Sequence, residues 1–390
     1  MGRQLLASML ALGLCVGLYA QHLTPQERRE GFRSLFNGRN LRGWKVYAGA
    51  NWRVQNGELV GPSDSAGWIG TVAEYDNFIL RGEFWVDKGS TDEGNSGVFF
   101  RAKPTSTPWR DGYEMQISLQ DPRNPTGSIY DRVPTHLEHM REIAPERQWN
   151  TFEIRACGPH IQITINGEMV QDCTLHEHTR GVIGLQQHHP GMVVKFRNLR
   201  LKQLSPRECA AERWQPLFNG KDLTGWFSTG LARWRVQEGV LIGEGGMGHL
   251  FTERTFRDFE LRAMVRIRPF KPDSPIKPNN GIYFRAQPNP ENPNNWPVGY
   301  EAQVFNHIER GNYITGSLYG RVMASRLLTR DGAWFSMRIR ACGDHIQIFV
   351  NGQKVVDTRD SQFAEGRIAI QCHDPFTIIE TRDIYWRPCP

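Results

Sequence analysis

LFNGRNLRGW at residues 35–44 returns as LFNGKDLTGW at residues 217–226, an offset of 182 (217 minus 35). The echo continues in order. NWRVQNGELVG (51–61) answers RWRVQEGVLIG (233–243), NSGVFFRA (95–102) answers NNGIYFRA (279–286), and GYEMQI (112–117) answers GYEAQV (299–304). TGSIYDR (126–132) is followed by TGSLYGR (315–321), RACGPHIQITINGEMV (155–170) by RACGDHIQIFVNGQKV (340–355), and GLQQHH (184–189) by AIQCHD (369–374). Preserved order with slowly drifting offsets means a tandem duplication, with small loop insertions between the copies. A chain of 390 residues is comfortable for two such domains, each able to bury its own core. The expected division is a leader at 1–20, an N-terminal segment at 21–31, domains at 32–204 and 213–390, and a polar linker at 205–212 around Pro206.

Each copy has the period of strands. Ile161, Ile163 and Ile165 alternate with Gln162 and Thr164, then Asn166-Gly167 supplies a pair that tolerates the positive φ of a tight hairpin. Ile346, Ile348, Val350 and Asn351-Gly352 repeat the pattern. Long helical periods are missing, and the best helix candidate is THLEHMREI at 135–143. Many short strands in a domain of this size predict an all-β fold, two tandem jelly-roll sandwiches. The repeated opening phrase is then a turn at Asn37-Gly38 followed by a Trp that docks on the core.

The first residues, MGRQLLASMLALGLCVGLYAQ, combine Arg3, an apolar run from Leu5 to Leu18 and a small Ala20 before Gln21. That pattern predicts a secretory signal peptide cleaved after Ala20, and so a periplasmic or extracellular protein. Lipoprotein anchoring at Cys15 is the weaker alternative, because Leu14 is bulky for the preceding position. No later stretch is long and apolar enough to be a transmembrane segment. A net charge of +6 spread over 47 basic and 41 acidic residues, with no basic block interleaved with aromatics, excludes a nucleic-acid partner. Six cysteines follow the leader, without the close pairs of a zinc site. Cys209 and Cys389 bracket the second domain and are expected to pair, since domain termini tend to meet. Cys157 and Cys173 are expected unpaired, on strands flanking a common neighbour about 10 Å apart.

Together the LFNG opening, the NSG…FR and GYE.Q strands, TGS.Y, the NG hairpin and the closing GLQ.H resemble the 3-keto-disaccharide hydrolase domain family, twice over and across nearly the whole mature chain. The resemblance implies a concanavalin-like jelly roll, bacterial export and action on sugars oxidised at C3. Strand parity nominates the residues. Glu114 and Gln116 share one face of their strand, while Tyr113, Met115 and Ile117 share the other. Arg101, Glu114 and His188 are the candidate catalytic groups of the first copy, with Gln116, Tyr130, Arg132 and Gln186 as substrate-binding groups. Arg285, Glu301 and His373, with Gln303, Tyr319, Arg321 and Gln371, are their equivalents in the second.

An ordinary glycosidase needs two facing carboxylates. Only one acid recurs within these motifs, and Asp111 is answered by Val298. A ketone at C3 acidifies the hydrogen at C2, so one general base suffices: the enolate expels the glycosidic oxygen and water adds afterwards. No cofactor is expected. His136/His139 and His176/His178 have spacings seen at metal sites but are not repeated in the second copy, so no metal is assigned to the site; a structural calcium or another divalent metal stays open. The ligand is an oligosaccharide or glycoside. A non-catalytic, lectin-like carbohydrate-binding protein of the cell envelope is the alternative, and an adhesion role a third. Oligomeric state is not legible.

Overall fold

The computed structural model describes residues 23–48, 51–210, 214–291, 296–309 and 311–389. The expected signal peptide therefore lies outside the described residues. Two β-sandwiches follow one another, each an eight-stranded antiparallel sheet packed on a five-stranded one.

In the first, the larger sheet runs in the order Glu168–Thr174, His160–Ile165, Asn150–Cys157, Phe78–Asp87, Val193–Gln203, Glu58–Val60, Arg53–Gln55, with Arg33–Ser34 added beside Val193–Gln203. The smaller runs Trp44–Ala48, Gly67–Tyr75, Gly181–Gln187, Ser96–Ala102, Tyr113–Ile117. The second sandwich has the same two orders, element for element, from Gln215–Pro216 to Thr377–Pro388. This shared topology is what a duplication requires. Among the described residues, no helix is long and apolar enough to cross a membrane.

The repeated opening phrase is structural. The Asn37 side chain accepts from the backbone N–H groups of Arg39 (2.8 Å) and Asn40 (3.0 Å), closing a turn with no help from the sheets. The chain then reverses so that buried Trp44 donates its indole N–H to the Leu35 carbonyl at 2.9 Å. Asn219 and Trp226 do the same in the second copy, Trp226 bonding Leu217 at 3.2 Å. The hairpins at Asn166-Gly167 and Asn351-Gly352 adopt the expected positive φ at both residues. The helix expected at 135–143 forms over Leu137–Ile143.

The cysteines depart from expectation. Cys157 pairs with Cys209 and Cys342 with Cys389, at Cα separations of 5.4 and 6.0 Å. Cys209 sits on a short helix, Pro206–Ala210, inside the stretch expected to be a plain linker. It closes the first domain rather than opening the second, so each domain ties the end of a strand to its own exit segment. The Cys209–Cys389 pairing and an unpaired Cys157 are thus both wrong; the duplication itself carried the answer, since Cys157 answers Cys342. Cys173 is a buried free thiol, as expected, and Cys372 another. The bridges close loops of 52 and 47 residues, each restricting the unfolded chain by about 4 kcal/mol on the loop-entropy relation. Replacing Cys157 and Cys209 together by Ser should lower the first domain's unfolding free energy by roughly 2–4 kcal/mol. Denaturant melts that leave it unchanged would contradict the assigned pairing.

The domains touch through the edge strand Glu168–Thr174 and the loops beside it. His176 pairs with Asp383 at 2.7 Å, and Arg330 donates to the carbonyls of Pro122 (2.5 Å) and Arg123 (2.6 Å).

Candidate functional site

The five-stranded sheet of each sandwich has one face in the core and one turned outward. Val98, Phe100, Tyr113, Met115 and Ile117 join the first core. Their alternate neighbours face a cavity of about 800 Å³. Glu114, Gln116, Tyr130, Gln186 and His188 all line it. The second cavity, about 450 Å³, is lined by Glu301, Gln303, Tyr319, Gln371 and His373. Strand parity placed Glu114, Gln116, Glu301 and Gln303 here, and the motifs repeated in both copies supplied the other six.

Room for the carboxylate is made by a glycine. Gly97 pairs with Gln116 on the neighbouring strand, and a Cβ on it would lie 2.0 Å from Glu114 Oε1. Gly281 stands in the same relation to Glu301, at 2.2 Å. The repeated Asn-x-Gly motif is thus a consequence of a carboxylate lying flat across the neighbouring strand. Oriented to satisfy both ends of its amide, Gln116 donates to the Ser96 carbonyl (3.2 Å) and to Glu114 Oε1 (3.3 Å). Gln303 bridges Asn280 (2.9 Å) and Glu301 (3.3 Å) in the same way.

Burial dominates the electrostatics. The Glu114 side chain is 2% exposed, and loss of water pushes its pKa up to about 8. Glu301 rises to about 7, again through burial, with the Tyr283 hydroxyl partly offsetting the rise. The first copy has Phe99 where Tyr283 stands, so Glu114 lacks that hydroxyl. A second exchange puts buried His249 in the place of Trp68, across from Gln371. Burial and the nearby His373 depress His249 to about 4, keeping it neutral. The two sites share a frame and differ in their walls.

A raised carboxylate pKa has a stability consequence. A group ordinarily at 4.5 that titrates near 8 in the folded state contributes stability fully present below about pH 4.5, and lost as pH rises through 8. Glu114→Gln removes this dependence. At pH 9 the variant should exceed the wild type by a few kcal/mol, since each tenfold change in proton affinity is worth about 1.4 kcal/mol, with far less difference at pH 5. Urea melts showing no widening of the gap between those pH values would sink the assignment.

The arginines are a correction. Arg101 and Arg285 were expected on the polar face, yet both adopt positive φ (49° each) where their strands lose regular register. The bulge turns the side chains away from the cavity and into the end of the sandwich. Arg101 is 1% exposed, donating to the carbonyls of Asp76 (2.8 Å), Gly158 (2.7 Å) and His178 (3.2 Å). Arg285 holds Arg257, Gly343 and Phe363 in the same way. Arg132 lies over the core-facing Tyr113 ring and bonds the Trp109 and Tyr130 carbonyls, while Arg321 covers Tyr300 and pairs with Asp360 at 2.5 Å. None of the four lines its cavity.

Sequence reasoning missed the walls drawn from loops and from the outer strand. Trp68, Glu93, Phe99, Trp109, Arg110 and the 120–123 loop line the first cavity; Tyr283 and Trp296 line the second. Phe99 and Tyr283 could have been found, since they share parity with Gly97 and Gly281. The loop residues have no period to betray them. The Arg330 bonds place one wall of the first cavity in the grip of the second domain. His136, His139, His176 and His178 do not converge: His176 is committed to Asp383, and His139 to Glu168 at 2.9 Å.

Fold and site together define a tandem β-sandwich protein with a buried carboxyl group at the floor of an outward-facing cavity in each copy. The chain belongs to the 3-keto-alpha-glucoside-1,2-lyase-like domain family, whose profile matches residues 31–202 and again 213–387. It is accordingly a carbohydrate-active protein. No curated relative matches it. Among solved structures, a Parabacteroides distasonis protein provisionally named a glycosyl hydrolase is 22% identical, with a TM-score of 0.41 over 48% of this chain and 100% of its own. A second from that organism, named likewise, is 24% identical with a TM-score of 0.37 over 44% and 99%. A carbohydrate-binding module of Bacillus subtilis is 18% identical with a TM-score of 0.30 over 41% and 93%.

Proposed function

We propose that the protein cleaves 3-keto-glycosides by elimination, with Glu114 in the first domain and Glu301 in the second as general bases. The observation that carries this reading is a single buried carboxyl group in each cavity with its pKa brought near neutrality. The base takes the C2 hydrogen as a proton, leaving an enolate delocalised onto the C3 oxygen. The enolate re-forms the ketone and a C1–C2 double bond as the C1–oxygen bond breaks. The departing oxygen takes up one proton, for which His188 and the newly formed Glu114 acid are the candidates in the first cavity. Water then adds across the double bond. With the four arginines of the motifs committed elsewhere and both N–H groups of Gln116 held by Ser96 and Glu114, the donors left for the enolate oxygen include the Gln186 amide, the Tyr130 hydroxyl and the guanidiniums of Arg110 and Arg123.

Export through the leader at 1–20, to the periplasm or beyond, is part of the same proposal, and the two disulfides favour an oxidising compartment. The binding-only reading draws support from Trp109 and Trp296, aromatic walls of the kind on which sugar rings stack. Incubation with 3-keto-trehalose or a 3-keto-glucoside separates the two. Loss of substrate through a conjugated enone supports elimination; tight glycan binding with no turnover overturns it.

A further inference from the structure

We propose that the first domain binds one divalent transition-metal ion through Glu93, His188 and His189, at the wall of its cavity. The ligand atoms of these three side chains lie within 4.8 Å of one another, a grouping found nowhere else among the described residues. Glu93 and His188 line the cavity that holds Glu114.

The protonation pattern fits coordination. His189 Nε2 lies 3.1 Å from the Glu93 backbone carbonyl, which can only accept, so that nitrogen carries the proton. Its Nδ1 is then an unprotonated lone pair, facing His188 Nδ1 at 2.9 Å. Two imidazole nitrogens this close share either one proton or one metal ion. A ring N–H donated to a backbone carbonyl, with the other nitrogen left free, is the usual support of a metal-ligating histidine. The carboxylate is supported too: Asn95 Nδ2 donates to Glu93 Oε1 at 3.3 Å. Two histidines and a carboxylate leave coordination positions open, a donor set suited to Zn²⁺, Co²⁺, Mn²⁺ or Fe²⁺ and a poor match for calcium.

The second domain shows what the arrangement looks like without the metal set. There the equivalents are Lys277, His373 and Asp374. Lys277 puts a cation where the first copy has a carboxylate, and it pairs with Glu309. The duplication kept the cavity and its carboxyl group in both copies but assembled the metal ligands in only one. Resting on the proposed activity, the open positions would chelate the C3 ketone oxygen and a neighbouring hydroxyl of the sugar, which would make the first site the faster of the two.

The experiment is metal binding by the untagged mature chain, stripped with EDTA and titrated with Co²⁺ and Zn²⁺ by calorimetry and by the visible absorption of bound Co²⁺. One ion per chain should bind at micromolar concentration or tighter. Glu93→Gln and His189→Ala should each weaken it by roughly 30-fold or more, whereas His373→Ala should leave it unchanged. No saturable binding at 100 µM metal (a working concentration, about a hundredfold above the weakest expected dissociation constant), or binding indifferent to the Glu93 and His189 changes, overturns the proposal. The readout needs no sugar. Metal binding without turnover of a 3-keto-glycoside would defeat the elimination reading alone, and turnover by a protein that binds no metal would defeat this inference alone.

Discussion

Glu114→Gln should reduce turnover of a 3-keto-glycoside at the first site by about 10²–10⁴-fold, with much less effect on binding. The amide keeps the shape and hydrogen-bonding reach of the carboxyl group and loses only its capacity to take a proton. The cavity, its aromatic walls and His188 are untouched. Glu301→Gln should do the same at the second site. Made singly, the two variants also apportion the activity between copies, because each removes one base and leaves the other. The pH dependence has a definite sign. The base is the ionised form, so kcat/KM should climb as pH rises and level off above the pKa, near 8 where Glu114 is responsible and near 7 where Glu301 is. A profile that falls over that range, or a double variant with full activity, would show that another group removes the proton.

The sequence is most legible where a period governs it. Alternation along GYEMQI puts Glu114 and Gln116 on one face, because a regular strand leaves no other choice. The same logic fails at Arg101. One residue in positive φ ends the alternation, and nothing in GVFFRA announces that break. The duplication compounds the error: Arg285 repeats Arg101, and repetition suggests function when it equally marks a clamp that both folds need. Disulfide pairing is misread for the opposite reason. The repeat holds the information, Cys157 to Cys342 and Cys209 to Cys389, while the nearness of domain termini is the weaker cue and points to the wrong partner. Loop-borne walls such as Trp109, Arg110 and Glu93 are not legible at all, since their approach to the cavity depends on how loops fold over the sheet.

The arginine clamp leads to a large effect on stability and a small one on chemistry. Arg101 buries a guanidinium against the backbone carbonyls of Asp76, Gly158 and His178, drawn from three different segments. Gly158 closes the turn between the Asn150–Cys157 and His160–Ile165 strands, and His178 precedes the strand that runs through the cavity floor. Arg101→Met keeps much of the aliphatic length but removes the buried guanidinium that ties these three carbonyls together. The cost should be about 2–3 kcal/mol, the upper part of the range for hydrogen bonds made by a charged donor. For a domain of this size that lowers the melting temperature by roughly 4–12 °C. Arg285→Met should do the same to the second sandwich through Arg257, Gly343 and Phe363. Assayed well below its melting point, Arg101→Met should retain kcat within about threefold of wild type, because its guanidinium faces away from the cavity that holds Glu114. The opposite outcome, an unchanged melting temperature with turnover down about a hundredfold or more (the weight of a lost general acid–base group), would return Arg101 to the catalytic machinery.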